Sequence, residues 1–101
     1  NKKEKYLVFS GIGNPASFKK TLIKNKFNII KEIIFADHYK YTSYDIVIIK
    51  KTAKELGAKI ITTEKDYIKL KPKDNKGINF LEVKLVIKRE KELIDLIKIK
   101  I

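Results

Sequence analysis

The sequence predicts an α/β fold: a mostly parallel sheet of about four strands with helices on both faces, a three-layer α/β/α arrangement in a single domain spanning residues 1–101. Three observations carry this expectation. Four short apolar runs alternate with stretches that carry helix start signals and helical periodicity, which is the pattern of successive β-then-α units. A chain of 101 residues has room for one hydrophobic core but not for a separate cofactor domain. Finally, the polar stretches Ser10 to Pro15, Asp37 to Thr42 and Thr62 to Asp66 each follow an apolar run, so parallel strands would gather all three on one sheet edge.

The elements follow in order. Tyr6-Leu7-Val8-Phe9 reads as a short buried strand running into Gly11-Ile12-Gly13. Asn14 is a good N-cap, Pro15 suits the first helical position, and Phe18 and Leu22 lie one turn apart, with Asn25 as the stop. Phe27 to Phe35 supplies the second strand, with Ile33-Ile34-Phe35 its buried part. Thr42 and Asp45 stand in capping-box spacing and open a helix with Ile46, Ile49, Ala53 and Leu56 on one face, closed by Gly57. The third strand is Lys59 to Thr62, and Thr63 and Asp66 repeat the capping spacing. The helix they open is short, because Pro72 and the run Lys73-Asp74-Asn75-Lys76-Gly77 break it. Phe80 to Ile87 reads as the fourth strand. Arg89 onward reads as a last helix with Leu93, Ile94, Ile97 and Ile101 on one face, although Ile97-Lys98-Ile99-Lys100-Ile101 also alternates as a strand does.

Composition narrows the function classes. Hydrophobic residues make up 44% and charged residues 36%, a globular balance, and no apolar run approaches the ~20 residues of a membrane helix. With no cysteine there is neither a disulfide framework nor a thiolate metal site, and one histidine does not make a zinc centre. The net charge of +12 favours contact with phosphates, whether of nucleic acid or of an anionic membrane surface. Of the 24 basic residues 23 are lysine, and so little arginine argues against specific nucleic-acid recognition. The chain starts at Asn1 and contains no methionine, from which we expect it to be a piece of a longer protein.

Two stretches invite chemistry. Gly11-x-Gly13-x-x-Ala16 lies between a strand and a helix, with Glu32 about 20 residues on, as in a dinucleotide-binding fingerprint. The same glycines serve equally well as a tight strand-to-helix turn or as a phosphate or substrate contact, and Pro15 removes one amide a pyrophosphate would use. His38 follows Asp37 where an apolar run ends and a helix signal begins. Imidazole takes and gives protons near neutral pH, and a neighbouring acid and helix start would tune it; in the plainer reading His38 is a surface residue and Asp37 a loop acceptor. Glu64 and Asp66 likewise fit a capped helix whose acids favour the positive end of the dipole.

Taken together, Ser-Gly-Ile-Gly-Asn-Pro-x-x-Phe, Phe-x-Asp-His-x-x-Tyr-Thr and Thr-Thr-Glu-Lys-Asp, in this order and spacing, resemble the C-terminal domain of the tetraacyldisaccharide 4'-kinases, from Tyr6 to the last strand. The resemblance implies a kinase that moves the γ-phosphate of ATP, with Mg²⁺, to the 4'-hydroxyl of the lipid A disaccharide precursor at the cytoplasmic face of the bacterial inner membrane. It implies that Asp37 and His38 are the catalytic pair, His38 facing the active site across a domain cleft and cooperating with an aspartate of an N-terminal domain. Tyr39 stands where that family commonly has a second histidine. Gly11, Gly13 and Asn14 match the family's glycine turn, and Glu64, Lys65 and Asp66 its last motif, as substrate- or nucleotide-facing positions. The family's Gly-x-x-x-x-Gly-Lys-Ser/Thr loop does not occur here, so ATP and Mg²⁺ are expected to be held mainly by an N-terminal P-loop domain outside this chain, and this piece alone is expected not to turn over.

Overall fold

The computed structural model of the protein describes residues 4–87 and 93–100, with side-chain surroundings through residue 81. Five strands and three helices run in the order β1 (Lys5–Ser10), α1 (Pro15–Lys24), β2 (Asn28–Ile34), α2 (Ser43–Leu56), β3 (Ala58–Thr63), α3 (Glu64–Tyr67), β4 (Ile78–Ile87) and β5 (Leu93–Lys100). They form one sheet of order β2-β1-β3-β4-β5 in which β1 to β4 are parallel and β5 is antiparallel to β4.

The expected layers are present because β1 alternates its side chains between two covered faces. Leu7 and Phe9 pack with Ile46, Ile49 and Ala53 of α2 and with Ile60, Leu70 and Ile78. Tyr6 and Val8 pack on the other face with Leu22 of α1, Ile61 and Leu81. Each fully buried aliphatic side chain contributes about 1.5–3 kcal/mol relative to exposure, so these two clusters fix the helices to opposite faces.

Local signals place the helix ends. Asn14 Oδ1 accepts from Ser17 N at 3.2 Å, with Pro15 in the first turn. Thr42 and Asp45 form a reciprocal capping box, with Thr42 Oγ1 accepting from Asp45 N at 3.1 Å and Asp45 Oδ2 accepting from Thr42 N at 2.8 Å. That amide holds the Asp45 carboxyl below its ordinary range. Gly57 closes α2 in the left-handed region at φ 65°, where a side chain would be strained.

Two expectations need correction. Ile33-Ile34-Phe35 is not a buried strand segment: β2 is an edge strand, none of its residues is fully buried, and Ile34 is 57% exposed. The last helix is a strand instead. Residues 93–100 pair along β4, with Val83 opposite Ile97 and Leu85 opposite Asp95, so the two-residue alternation of Ile97 to Lys100 wins over the helical spacing. Arg89 and Ile101 lie outside the described residues.

Candidate functional site

The strand order places a switch point between β1 and β3: the chain leaves β1 toward β2 on one side and returns to β3 on the other. In open α/β sheets, ligands bind in the crevice outside the carboxyl ends of the strands at such a point. Here the crevice is filled by a side chain. Asp66, in the first turn of α3, is fully buried, and its Oδ2 accepts from Gly11 N at 3.1 Å and from Thr63 Oγ1 at 2.7 Å. Its Oδ1 accepts from the Tyr41 hydroxyl at 3.2 Å, with Lys69 Nζ at 3.6 Å. An ionised carboxylate only accepts, and this one meets three donors and a cation, which is how a buried charge is made tolerable. Thr62 Oγ1 donates to Phe9 O at 2.6 Å across the same strand pair, closing the seam further.

A side chain at position 11 would crowd the tightest point of that seam. A Cβ on Gly11 would lie 3.0 Å from Ala36 O and 3.1 Å from the Tyr41 hydroxyl oxygen. The loop after β2 is held in turn by an aromatic cluster, in which Tyr41 packs edge-on against Phe9 at 5.4 Å and Phe35 at 5.1 Å. Burial, and then the Asp66 charge, push the Tyr41 phenol far above its ordinary range, so it stays a proton donor.

Within this closed frame one turn points outward. His38 adopts φ 65°, a left-handed backbone uncommon for any residue but glycine, while its N donates to Gly11 O at 3.3 Å. Its imidazole is 77% exposed, with Nε2 3.7 Å from Asp37 Oδ2, and the Asp37 side chain is 46% exposed. Gly13 makes room for this acid, since a Cβ there would sit 3.3 Å from Asp37 Oδ2. An exposed acid and imidazole side by side on a strained turn can orient or exchange a proton with a group arriving from outside.

All 101 residues match the family model described as tetraacyldisaccharide-1-P 4'-kinase. The chain belongs to this family. Tetraacyldisaccharide 4'-kinase of Pelagibacter ubique is 42% identical over 93 residues, covering 92% of this chain and 30% of the relative. The enzyme of the same name from Syntrophus aciditrophicus is 40% identical over 91 residues (87% of this chain, 24% of the relative), and that from Rickettsia typhi 44% over 87 residues (86% and 27%). The chain thus spans between 24% and 30% of the length of these relatives. No solved structure matches.

Within this kinase-family sheet, the residues singled out from sequence divide. Gly11, Gly13, Asp37, His38 and Asp66 come together at the carboxyl edge of β1, β2 and β3. Asp66, expected to face substrate or nucleotide, faces inward, and Gly11 is buried beside it. Glu64 and Lys65 are exposed at the start of α3. Asn14 caps α1 and lines an open cleft of about 340 Å³ with Ala16, Ser17 and Lys20. Glu32, the ribose-binding acid of the dinucleotide reading, pairs with Lys19 at 3.4 Å, and that reading is not favoured. Tyr39 donates to Asp45 Oδ2 at 2.9 Å. Sequence reasoning gave no role to Tyr41, although it stands in the Phe-x-Asp-His-x-x-Tyr-Thr motif, and missed Lys69; their partners lie 25 and three residues from them. Among the described residues no group of three or more His, Cys, Asp or Glu is placed to hold a metal ion.

Proposed function

We propose that this chain is the C-terminal, lid-like domain of a two-domain kinase that transfers the γ-phosphoryl group of ATP to the 4'-hydroxyl of the lipid A tetraacyldisaccharide 1-phosphate precursor. ATP and Mg²⁺ belong to the N-terminal P-loop domain of the longer protein, and neither is assigned to a residue of this chain. Family membership over residues 1–101 supports the reaction class. One observation carries the role of this domain: the outward His38 imidazole beside Asp37, on a left-handed turn whose backbone is tied to the glycine loop.

His38 orients the carboxylate of the N-terminal domain that accepts the proton of the sugar hydroxyl, and Asp37 holds the imidazole in the orientation that serves it. Closure of the lid brings the pair to the hydroxyl and excludes water, so the chain by itself does not turn over. The surplus of +12 charges on the chain draws the enzyme toward anionic headgroups at the cytoplasmic face of the inner membrane, within the Debye length of about 8 Å. No helix among the described residues is long and apolar enough to cross a membrane.

The test is His38→Ala in the full-length protein. Turnover is expected to fall about 100-fold, within the range of general acid–base contributions, with the melting temperature unchanged. Normal turnover in a folded variant removes His38 from the reaction.

A further inference from the structure

We infer that Asp66 is a positioning residue for phosphoryl transfer, one that holds His38 in place from the far side of the sheet edge. The inference rests on the kinase reading above. Asp66 reaches no solvent and touches no substrate; it acts through two neighbours that flank the His38 turn.

The first path runs through one residue of the glycine loop. Gly11 N donates to Asp66 Oδ2 at 3.1 Å, and Gly11 O accepts from His38 N at 3.3 Å. The buried carboxylate thereby fixes the carbonyl that fixes the histidine. The second path enters three residues beyond the histidine, where the Tyr41 hydroxyl donates to Asp66 Oδ1 at 3.2 Å. Around His38 the backbone turns back on itself, with Tyr39 N donating to Ala36 O at 3.0 Å. Ala36 O lies against Gly11, close enough that a Cβ there would come within 3.0 Å of it.

This clamp explains how a non-glycine residue persists at φ 65°. Such a conformation is kept only where the surroundings over-determine it, and here His38 N, through Gly11, and the Tyr41 hydroxyl three residues on both lead to the same buried group. Asp66 is itself held by Thr63, whose hydroxyl donates to Oδ2 at 2.7 Å and accepts from Asp66 N at 2.9 Å. Thr63 ends β3, so the position of His38 on the β2 loop is referred to an interior strand of the sheet. An imidazole displaced by about 1 Å loses the alignment that proton transfer needs, at a cost of about 100-fold in rate.

The conservative and disruptive variants differ in a defined way. In Asp66→Asn the amide oxygen still accepts from Gly11 and Thr63, while its NH₂ faces the Tyr41 hydroxyl, which rotates to accept it, and the partly exposed Lys69 ammonium, which loses its acceptor there, turns to solvent. In Asp66→Ala both attachments are lost.

The experiment measures kcat and KM in the full-length protein for wild type, Asp66→Ala, Asp66→Asn, His38→Ala and the Asp66→Ala/His38→Ala pair. Asp66→Ala is expected to lower kcat about 10- to 100-fold with KM for ATP unchanged, Asp66→Asn to restore most of it, and Asp66→Ala to cost nothing further once His38 is alanine. An undiminished kcat in Asp66→Ala, or an equal loss in the His38→Ala background, overturns the inference. If Asp66→Ala does not fold, Gly11→Ala enters the same cycle with the same two outcomes, because it moves the loop without removing a charge. A second readout needs no activity: the imidazole NMR resonance of His38, assigned by its loss in His38→Ala, is expected to shift in Asp66→Ala or Gly11→Ala, and an unmoved resonance also overturns the inference. A full-length wild type without kinase activity sinks the kinase reading instead, and leaves the resonance to decide on Asp66.

Discussion

Two aspartates on the same sheet edge have opposite fates. Asp66 is fully buried and meets three hydrogen-bond donors, whereas Asp37 is about half exposed and its one ion-pair partner among the described residues is His38. Both follow a strand of the same parallel sheet, so topology alone does not separate them. What separates them is the strand they follow. β3 is interior and its loop meets the glycine loop across the β1–β3 seam, while β2 is an edge strand whose loop has open space on its outer side. The seam where an open α/β sheet commonly holds a ligand is therefore spent on cohesion, and the exposed chemistry moves one strand outward.

That contrast is easiest to break through stability. Asp66→Ala leaves the Gly11 amide and two hydroxyls without their acceptor inside the protein, and is expected to cost about 3–5 kcal/mol. Asp37→Ala, on the exposed side, is expected to change stability by less than about 0.5 kcal/mol. Urea unfolding of the two variants decides: similar losses in both would erase the division.

The two glycines sharpen it. Gly11→Ala drives a methyl group against the Ala36 carbonyl, a backbone atom less free to shift than a side-chain end, and is expected to cost about 1–3 kcal/mol. Gly13→Ala meets only the movable Asp37 carboxylate at 3.3 Å and is expected to cost less than about 1 kcal/mol. Equal melting temperatures for the two variants would show that the seam is not the tight side.

A smaller effect appears at high pH. The folded phenol of Tyr41 is raised above its ordinary 10.0, so the native state keeps a proton that the unfolded chain gives up. Its contribution is complete below pH 10.0 and is lost as the pH rises above that value. Tyr41→Phe is expected to cost about 1 kcal/mol at pH 7 and to flatten the fall in stability above that point. A fall of unchanged steepness in the variant would mean that burial and Asp66 do not hold the proton on the folded Tyr41 phenol.

The parts of this design that were legible in the sequence are those written within a few residues of one another. Asn14 with Pro15, Thr42 with Asp45, Gly57, and Thr63 with Asp66 each announce a helix end, because a cap satisfies backbone groups of its own first or last turn. The same locality hid the second use of Asp66. Its spacing to Thr63 reads as a cap, and nothing nearby indicates that the carboxylate also bonds Gly11, 55 residues away in sequence. β5 failed for a related reason: residues 97–101 suit both periods, and the choice is made by pairing with β4, a long-range contact. Burial of β2 was overestimated because the apolar run Ile33-Ile34-Phe35 does not say that its strand lies at the sheet edge. The exposed Asp37–His38 pair was found from residue type and position after a strand, yet its left-handed turn has no sequence signal, since the residue that adopts it is not glycine.

The measurement that bears most directly on a closed seam presenting an open histidine is His38→Gly, read for both turnover and melting temperature in the full-length protein. Glycine adopts φ 65° without strain, so the variant is expected to melt at or slightly above the wild-type temperature while turnover falls about 100-fold, function having been bought with backbone strain. A folded His38→Gly protein that turns over normally, or one that loses its fold, would contradict that division of labour.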